Sequence, residues 1–363
     1  LSYIKNIYDM STVGVSVVLW AALLVASQSL WILSAIGLIV LSVIIADIAV
    51  KVVQDLTNTE VIKDIKGKAV LITGCDTGFG KLLAEHLDRL GFKVYACCLY
   101  PEEDGARSLQ ESATNGLKVV KMDVTNDDDV AQATTLLKQD LGDDKLWCVV
   151  NNSGIAEISE VELCPISRYQ QVLDVNTLGP LRVTKAFLPL LRNARQGRVI
   201  IVASLAGRFT FPGFSAYSMS KHAAVSLADG LRQELVKWNI SVHTIEPALY
   251  KTSISNPSIN IASTNRSWEA TPEEIRRSYG EAYIEDFRNY IITSAANGKP
   301  HEKLHEVVDD MVHAVTSVNP KDRYVPSMLT QFRARVLASL PGEVLSLLLS
   351  SNLPKTLPAD LVE

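Results

Sequence analysis

A six-residue apolar run, Lys68-Ala-Val-Leu-Ile-Thr73, passes directly into Gly74-Cys-Asp-Thr-Gly78-Phe-Gly80 and then into the amphipathic stretch Lys81–Leu90. A short run without polar alternation fits a strand buried on both faces, as in the centre of a parallel sheet. The glycines allow a tight strand-to-helix turn whose backbone amides, with the helix N-terminus, can meet the charge of a pyrophosphate. The spacing is Gly-x-x-x-Gly-x-Gly, so the common Gly-x-Gly-x-x-Gly fingerprint covers it by mechanism and not by pattern.

The same design recurs along the chain. Leu146-Trp-Cys-Val-Val150 ends in Asn151-Asn152-Ser153-Gly154, and Arg198-Val-Ile-Ile-Val-Ala203 ends in Ser204. Both put polar groups at the carboxyl ends of predicted parallel strands, where ligands bind in open α/β sheets. Apolar strands alternating with helical stretches predict an α/β fold, a Rossmann-type doubly wound parallel sheet covered on both faces. Thirteen residues after Ser204 stands Tyr217, and Lys221 follows four residues later. That spacing is about one helical turn, so phenol and ammonium share a face, and the ammonium is expected to lower the phenol pKa from its ordinary ~10. Alone, Tyr-x-x-x-Lys describes many solvated surface pairs.

Taken in order, Thr-Gly-x-x-x-Gly-x-Gly, Asn-Asn-x-Gly, Ser and Tyr-x-x-x-Lys resemble the short-chain dehydrogenase/reductase family, from about residue 67 to about residue 326. The resemblance implies an NAD(P)-dependent oxidoreductase acting on CH–OH groups. It makes Tyr217 the general acid/base, with Lys221 tuning it and holding the nicotinamide ribose. Ser204 would bond the substrate oxygen, and Asn176, in Asp174-Val-Asn-Thr177, would anchor a water in a proton relay. It further assigns cofactor contacts to Gly74, Asp76, Thr77, Gly78, Phe79 and Gly80 in the turn, and to Asp123 and Val124 at the adenine. Asn151, Gly154, Tyr217, Lys221, Pro247 and Thr252 complete the set. One position departs: Glu246-Pro247-Ala248 stands where the family has Pro-Gly. Alanine takes positive φ less cheaply than glycine, so a local adjustment of the nicotinamide loop is expected. Ile72–Gly80, Ala186–Leu191, Gly197-Arg-Val and Lys237-Trp-Asn-Ile240 are similar to the family's membrane-associated branch of hydroxysteroid, retinol and 3-hydroxybutyrate dehydrogenases.

Cofactor choice is read after the second strand, Lys93–Cys98, where an acid accepts from a ribose 2′-hydroxyl and an arginine pairs a 2′-phosphate. Cys98 occupies the acid position, no base follows at Leu99 or Tyr100, and Glu102, Glu103 and Asp104 come next. NAD is therefore favoured over NADP.

From Ser11 to Ala46 there are 36 residues without a charge. As one helix they would reach about 54 Å, beyond a ~30 Å hydrocarbon core. The expectation is a transmembrane or membrane-embedded segment over 1–50, either one span or a hairpin turning near Ser27-Gln-Ser29. A linker at 51–66, a catalytic domain at 67–330 and an apolar tail at 331–363 follow. Lysines 51, 63, 66 and 68 after the apolar block, against Lys5 before it, orient the catalytic domain to the cytosol, with the endoplasmic reticulum membrane as the site and a mitochondrial membrane as the alternative. Five cysteines without a framework pattern read as free thiols. A net charge of −5 gives no reason to expect nucleic acid.

Two motifs suggest metals without supplying a site. Asp127-Asp-Asp129 after Asn126 reads as an acidic first helical turn. His301-Glu-Lys-Leu-His305 matches His-Glu-x-x-His, yet Val308 and Met311 occupy the positions of the extended pattern's glycine and third histidine, so a helix start is expected and no metal is assigned. Residues 252–300 turn irregular and aromatic, with Trp268, Tyr279, Tyr283, Phe287 and Tyr290; the resemblance makes them a substrate lid, while Tyr279, Tyr283, Phe287 and Tyr290 at spacings of 4, 4 and 3 also read as the buried stripe of a helix. The expected function is NAD-dependent oxidation of a secondary alcohol on a lipophilic molecule, a steroid first and a retinol-type alcohol next, by a homodimer or homotetramer at a lipid bilayer. A 3-hydroxybutyrate-type dehydrogenase and a non-catalytic dinucleotide-binding membrane scaffold or sensor are the alternatives.

Overall fold

The computed structural model describes residues 60–350 and 354–362, with scattered positions between 20 and 53. The chain divides into two compact units, Leu1–Glu60 and Val61–Glu363. In the first, the described positions between 31 and 46 are helical and expose Trp31, Ile32, Ile36, Leu38 and Ile39. Most of the expected membrane segment lies outside the described residues, and among those described no helix is long and apolar enough to cross a membrane.

The second unit is built on seven parallel strands: β1 (Lys68–Thr73), β2 (Lys93–Cys98), β3 (Lys118–Lys121), β4 (Lys145–Asn151), β5 (Arg198–Val202), β6 (Ser241–Ile245) and β7 (Arg323–Tyr324). Their order is β3-β2-β1-β4-β5-β6-β7, so the direction of winding reverses between β1 and β4. Side chains alternate across each strand. Val70 and Ile72 join a core with Leu83 and Leu87 of α1 (Gly78–Leu90), Leu109 of α2 (Asp104–Ser112) and Met311 of the helix His305–Thr316. Ala69 and Leu71 join the opposite core with Leu137 of α3 (Asp127–Asp140), Phe187 of α5 (Gly179–Ala194) and Ala228 of α6 (Ser215–Leu235); α4 (Ile166–Leu173) lies between β4 and α5. A doubly wound sheet is the result.

The acidic run behaves as expected of a helix start: Asn126 Oδ1 accepts from the Asp128 and Asp129 amides at 2.9 and 3.2 Å, and Asp129 pairs with Lys121. Residues 252–300 are mostly helical, and Tyr283 and Phe287 are buried on one helix as their spacing predicts. The segment forms three helices, α7 (Pro257–Ala270), α8 (Glu273–Tyr279) and α9 (Glu281–Ala296), around a core of Ile158, Leu163, Trp268, Ile284, Phe287 and Ile291. The two ends of this segment are joined by backbone bonds, Lys251 N–H to Lys299 O and Lys299 N–H to Leu249 O, both 2.9 Å. His301 sits in a 3-10 turn and His305 opens α10 (His305–Thr316), its Nδ1 2.7 Å from the Glu302 carbonyl. Past β7, α11 (Met328–Ala338) and α12 (Gly342–Ser350) expose Met328, Leu329, Phe332 and Leu347. The chain then returns to α9, where Asp286 accepts the Lys355 and Thr356 amides, both at 2.9 Å.

Candidate active site

The carboxyl ends of β1, β4, β5 and β6 meet at one edge of the sheet and carry the residues that the motifs single out. After β1, Gly74 and Gly78 take positive φ (68° and 64°), which β-carbon-bearing residues adopt at a cost. A Cβ at Gly80 would collide with the Gly74 carbonyl and the Asn152 side chain. Thr77 precedes α1 without a side-chain cap, leaving the first helical amides open toward an anion. The turn is tied across the sheet: Thr73 Oγ1 accepts the Asn152 and Ser153 amides at 3.0 and 3.1 Å, and Asn152 Nδ2 donates to the Thr73 and Gly74 carbonyls, both at 2.9 Å. The side chain of Asn151 is buried and its Nδ2 donates to Thr184 Oγ1 on α5 at 3.1 Å, which leaves its backbone for the expected cofactor contact. The neighbouring Asn152, which the sequence did not single out, holds the turn. Ser253 Oγ donates to Thr77 Oγ1 at 2.8 Å and Phe79 meets Tyr250 edge-on at 5.8 Å, joining the turn to the segment around Thr252.

Asp76 accepts the Leu99 and Tyr100 amides at 3.1 and 3.0 Å, so a carboxylate stands at the end of β2 although Cys98 itself is buried. Lys81, a base near this end, donates to Ser108 Oγ at 2.6 Å. Asp123 Oδ1 accepts from the Thr125 amide and hydroxyl at 2.9 and 2.7 Å, and its amide is held by Asp129. Val124 is buried against Gly179.

Asn176 lies in a π-helical turn, Asp174–Leu178, between α4 and α5. Its Oδ1 accepts the Ile155 amide and its Nδ2 donates to the Ile155 carbonyl and to Ser220 Oγ, all at 2.9 Å. A Cβ on Gly154 would lie 3.4 Å from Asn176 Oδ1 and 3.5 Å from Lys221 Nζ, which places all three together. Ser204 caps the 3-10 turn Leu205–Gly207; its Oγ accepts the Ala206 amide at 3.1 Å and faces the Pro247 carbonyl at 3.4 Å. Tyr217 and Lys221 share a face of α6, with Lys221 Nζ 5.6 Å from the Tyr217 ring centre and donating to the Val202 carbonyl at 2.9 Å.

The electrostatics differ from the simple expectation. Burial pushes the Tyr217 phenol up to about 12, with the Ser204 hydroxyl bond acting in the lowering direction, and burial pushes Lys221 down to about 8. The ammonium faces the ring and a backbone carbonyl, so burial outweighs it and the pair alone does not bring the phenol to neutrality. Ala248 also differs: among the described residues only Arg195, Asn239 and Ser327 take positive φ without being glycine, so the loop after β6 needs no glycine at that position. Among the described residues no group of three His, Cys, Asp or Glu is placed to hold a metal ion.

A glycine cradle on an uncapped helix, beside a serine, a tyrosine and a buried lysine, defines the class of nicotinamide-dependent alcohol and ketone oxidoreductases. The short chain dehydrogenase family profile matches residues 68–260. The 17-beta-hydroxysteroid dehydrogenase type 6 of Rattus norvegicus is 38% identical over 80% of this chain and 90% of its own. Retinol dehydrogenase 16 of the same species is 36% identical over 82% and 92%, and its mitochondrial D-beta-hydroxybutyrate dehydrogenase 34% identical over 77% and 82%. A Burkholderia phymatum short chain dehydrogenase/reductase solved with NAD superposes with a TM-score of 0.60 at 21% identity, covering 76% of this chain and 94% of that one. A Burkholderia cenocepacia short chain dehydrogenase solved with NADP gives 0.57 at 23%, covering 79% and 98%. The chain belongs to the short-chain dehydrogenase/reductase family and is an oxidoreductase that uses a nicotinamide dinucleotide. That sets aside the non-catalytic alternative.

Proposed function

We propose that the chain oxidises a secondary alcohol on a lipophilic, uncharged molecule with NAD, a steroid first and a retinol-type alcohol next. The turn Gly74–Gly80 with Asp76, Asp123, Val124, Asn151, Gly154, Pro247 and Thr252 would hold NAD, which would supply the hydride acceptor. Tyr217 takes the hydroxyl proton, and Ser204 holds the substrate oxygen and stabilises charge developing there. Lys221 presents an ammonium behind the tyrosine, and Asn176 fixes the Ile155 backbone beside it. The observation that carries the reading is the convergence of Asn176, Ser204, Tyr217 and Lys221 at one sheet edge, and the apolar, aromatic core of the 252–300 helices suits a lipophilic substrate.

The relative named for D-beta-hydroxybutyrate keeps a small carboxylate substrate as the second reading. Such a substrate needs a free cation, and two arginines near the site are already engaged. Arg168 Nε and Nη2 donate to the buried Glu157 at 2.9 and 2.6 Å, and Arg208 pairs with the buried Glu246. This favours the uncharged substrate. The uncharged stretch 11–46 supports a membrane-associated enzyme, and Lys51, Lys63, Lys66 and Lys68 after it support a catalytic domain facing the cytosol, with the endoplasmic reticulum as the site and a mitochondrial membrane as the alternative. The test is NADH formation by detergent-solubilised protein offered NAD with estradiol, a retinol or 3-hydroxybutyrate. Tyr217→Phe is expected to lose on the order of 10²–10⁴-fold in turnover. Turnover of 3-hydroxybutyrate alone would reverse the substrate assignment.

A further inference from the structure

Glu246 follows β6 with its side chain fully buried. A carboxylate withdrawn from water is costly unless paired and hydrogen-bonded, and this one is held from several sides. Arg208 Nε donates to Oε2 in a close ion pair, Thr244 Oγ1 donates to Oε1 at 2.8 Å, and Arg323 Nη1 stands 3.6 Å from Oε1. The Glu246 amide donates to the Tyr324 carbonyl at 2.7 Å.

The members of this network belong to different parts of the site. Arg208 ends the 3-10 turn that Ser204 caps. Glu246 immediately precedes Pro247, whose carbonyl accepts the Leu205 amide at 3.0 Å and faces the Ser204 hydroxyl at 3.4 Å. Arg323 is in turn gripped by Asp229 at 2.8 and 2.6 Å, and Asp229 lies on α6, the helix of Tyr217 and Lys221. One buried carboxylate thus joins the Ser204 turn, the strand end at Pro247 and the tyrosine helix. A well-packed apolar pair could join the same segments without the desolvation cost. What it could not supply is the fixed direction of a guanidinium on a carboxylate.

We propose that Glu246, acting through Arg208, is a positioning residue that fixes the Ser204 hydroxyl relative to the Tyr217 phenol. The inference rests on the reading of Ser204 and Tyr217 given above. Lys221 faces the Tyr217 ring from its own helix, and the Ser204 hydroxyl at the end of β5 acts on the phenol in the lowering direction. Because the Ser204 bond lowers the phenol pKa, displacing that hydroxyl moves the alkaline rise of oxidation to higher pH.

The experiment compares Glu246→Gln, Arg208→Lys and the double variant Arg208→Met/Glu246→Leu with the unsubstituted full chain. Each is measured for melting temperature, NADH binding by fluorescence, kcat and the pH dependence of kcat. Glu246→Gln is expected to lose roughly 10–100-fold in kcat and shift the pH midpoint upward, with NADH affinity held within about twofold. Arg208→Lys, which keeps the charge but loses the guanidinium fork, should show the same changes in smaller degree and serves as the folded variant if Glu246→Gln does not fold. The double variant should regain the melting temperature but neither kcat nor the pH midpoint. Recovery of kcat together with stability in the double variant, or an unmoved midpoint in the folded single variants, would overturn the positioning role. Tyr217→Phe run alongside separates the two levels: turnover surviving in it removes the site reading itself, whereas its loss beside an unaffected Glu246→Gln and Arg208→Lys removes only the positioning role.

Discussion

Lys221 is almost fully buried, and its ammonium has one backbone carbonyl as its hydrogen-bond partner, so its place in the site is bought at the expense of stability. Burial brings its pKa from 10.5 down to about 8. A lysine whose folded pKa lies below its unfolded one destabilises the fold at pH below the folded value, and that deficit fades as pH rises from about 8 to about 10.5. The shift corresponds to about 3 kcal/mol, from which about 1 kcal/mol is returned when the Val202 carbonyl loses its donor. Lys221→Met is therefore expected to raise the melting temperature at pH 7 by several degrees while turnover collapses, and the gain should shrink at pH 10. Thermal melts at the two pH values check this; an unchanged or lower melting temperature at pH 7 would refute the buried-charge account. Tyr217 obeys the opposite sign: its raised pKa keeps the phenol protonated at neutrality, so oxidation is expected to climb with pH well beyond 7. The Tyr217–Lys221 pairing was legible in the sequence because it depends only on helical spacing. The balance between burial and the ammonium was not, since it depends on what surrounds the helix. Asn152 was hidden for a related reason: in Asn151-Asn152 the two side chains leave on opposite sides of the strand end, and sequence alone does not say which faces the turn.

At the scale of elements, the proposed preference for NAD turns on the junction between β2 and the glycine turn. The sequence offers no acid at Cys98, but the fold brings one from Asp76, which clamps the Leu99 and Tyr100 amides. With Lys81 bonded to Ser108 and Glu102, Glu103 and Asp104 following the strand, a 2′-phosphate would meet predominantly negative charge. Asp76→Asn is expected to narrow the preference for NADH over NADPH by about tenfold, the worth of roughly 1.4 kcal/mol for one nearby charge. Fluorescence titration with both cofactors measures it, and an unaltered ratio would show that another group excludes the phosphate. The strands were the most legible elements, since continuous apolar runs in β1, β4 and β5 announce burial on both faces. The lid helix α7 was the least. It buries Asn260, Ser263, Thr264 and Ser267, a helical stripe made of polar residues, because Ser263 and Ser267 turn to Glu157 and Thr264 to the Ile158 carbonyl. A pattern search for apolar periodicity passes over such a helix and reads an irregular segment.

For the whole molecule, the division at Glu60 makes a separable prediction about folding and membrane binding. The catalytic unit contains both cores of the sheet and the lid core, and its outermost backbone tie is the Ile62 amide donating to the Thr316 carbonyl at 2.8 Å. The C-terminal end of α10 is locked by Arg198, which donates to the Ala314 and Ser317 carbonyls at 2.7 and 2.6 Å and lies over the Trp147 ring at 4.6 Å. All of these groups lie beyond Glu60. A chain beginning at Glu60 is therefore expected to unfold in one cooperative step and to bind NADH within a factor of about two of the full chain, since no group proposed for the dinucleotide is removed. Its binding to phosphatidylcholine vesicles should fall sharply relative to the full chain, which carries the uncharged stretch 11–46. A residual fraction should persist through the exposed Met328, Leu329 and Phe332 of α11 and Leu347 of α12, and charged substitution of Leu329 and Phe332 should remove it. Vesicle flotation of the three forms, with NADH fluorescence on the same samples, tests both halves. Loss of NADH binding on truncation would mean that residues before 60 help to build the site. Undiminished flotation would place membrane attachment in the catalytic unit and overturn the assignment of 1–50 as the anchor.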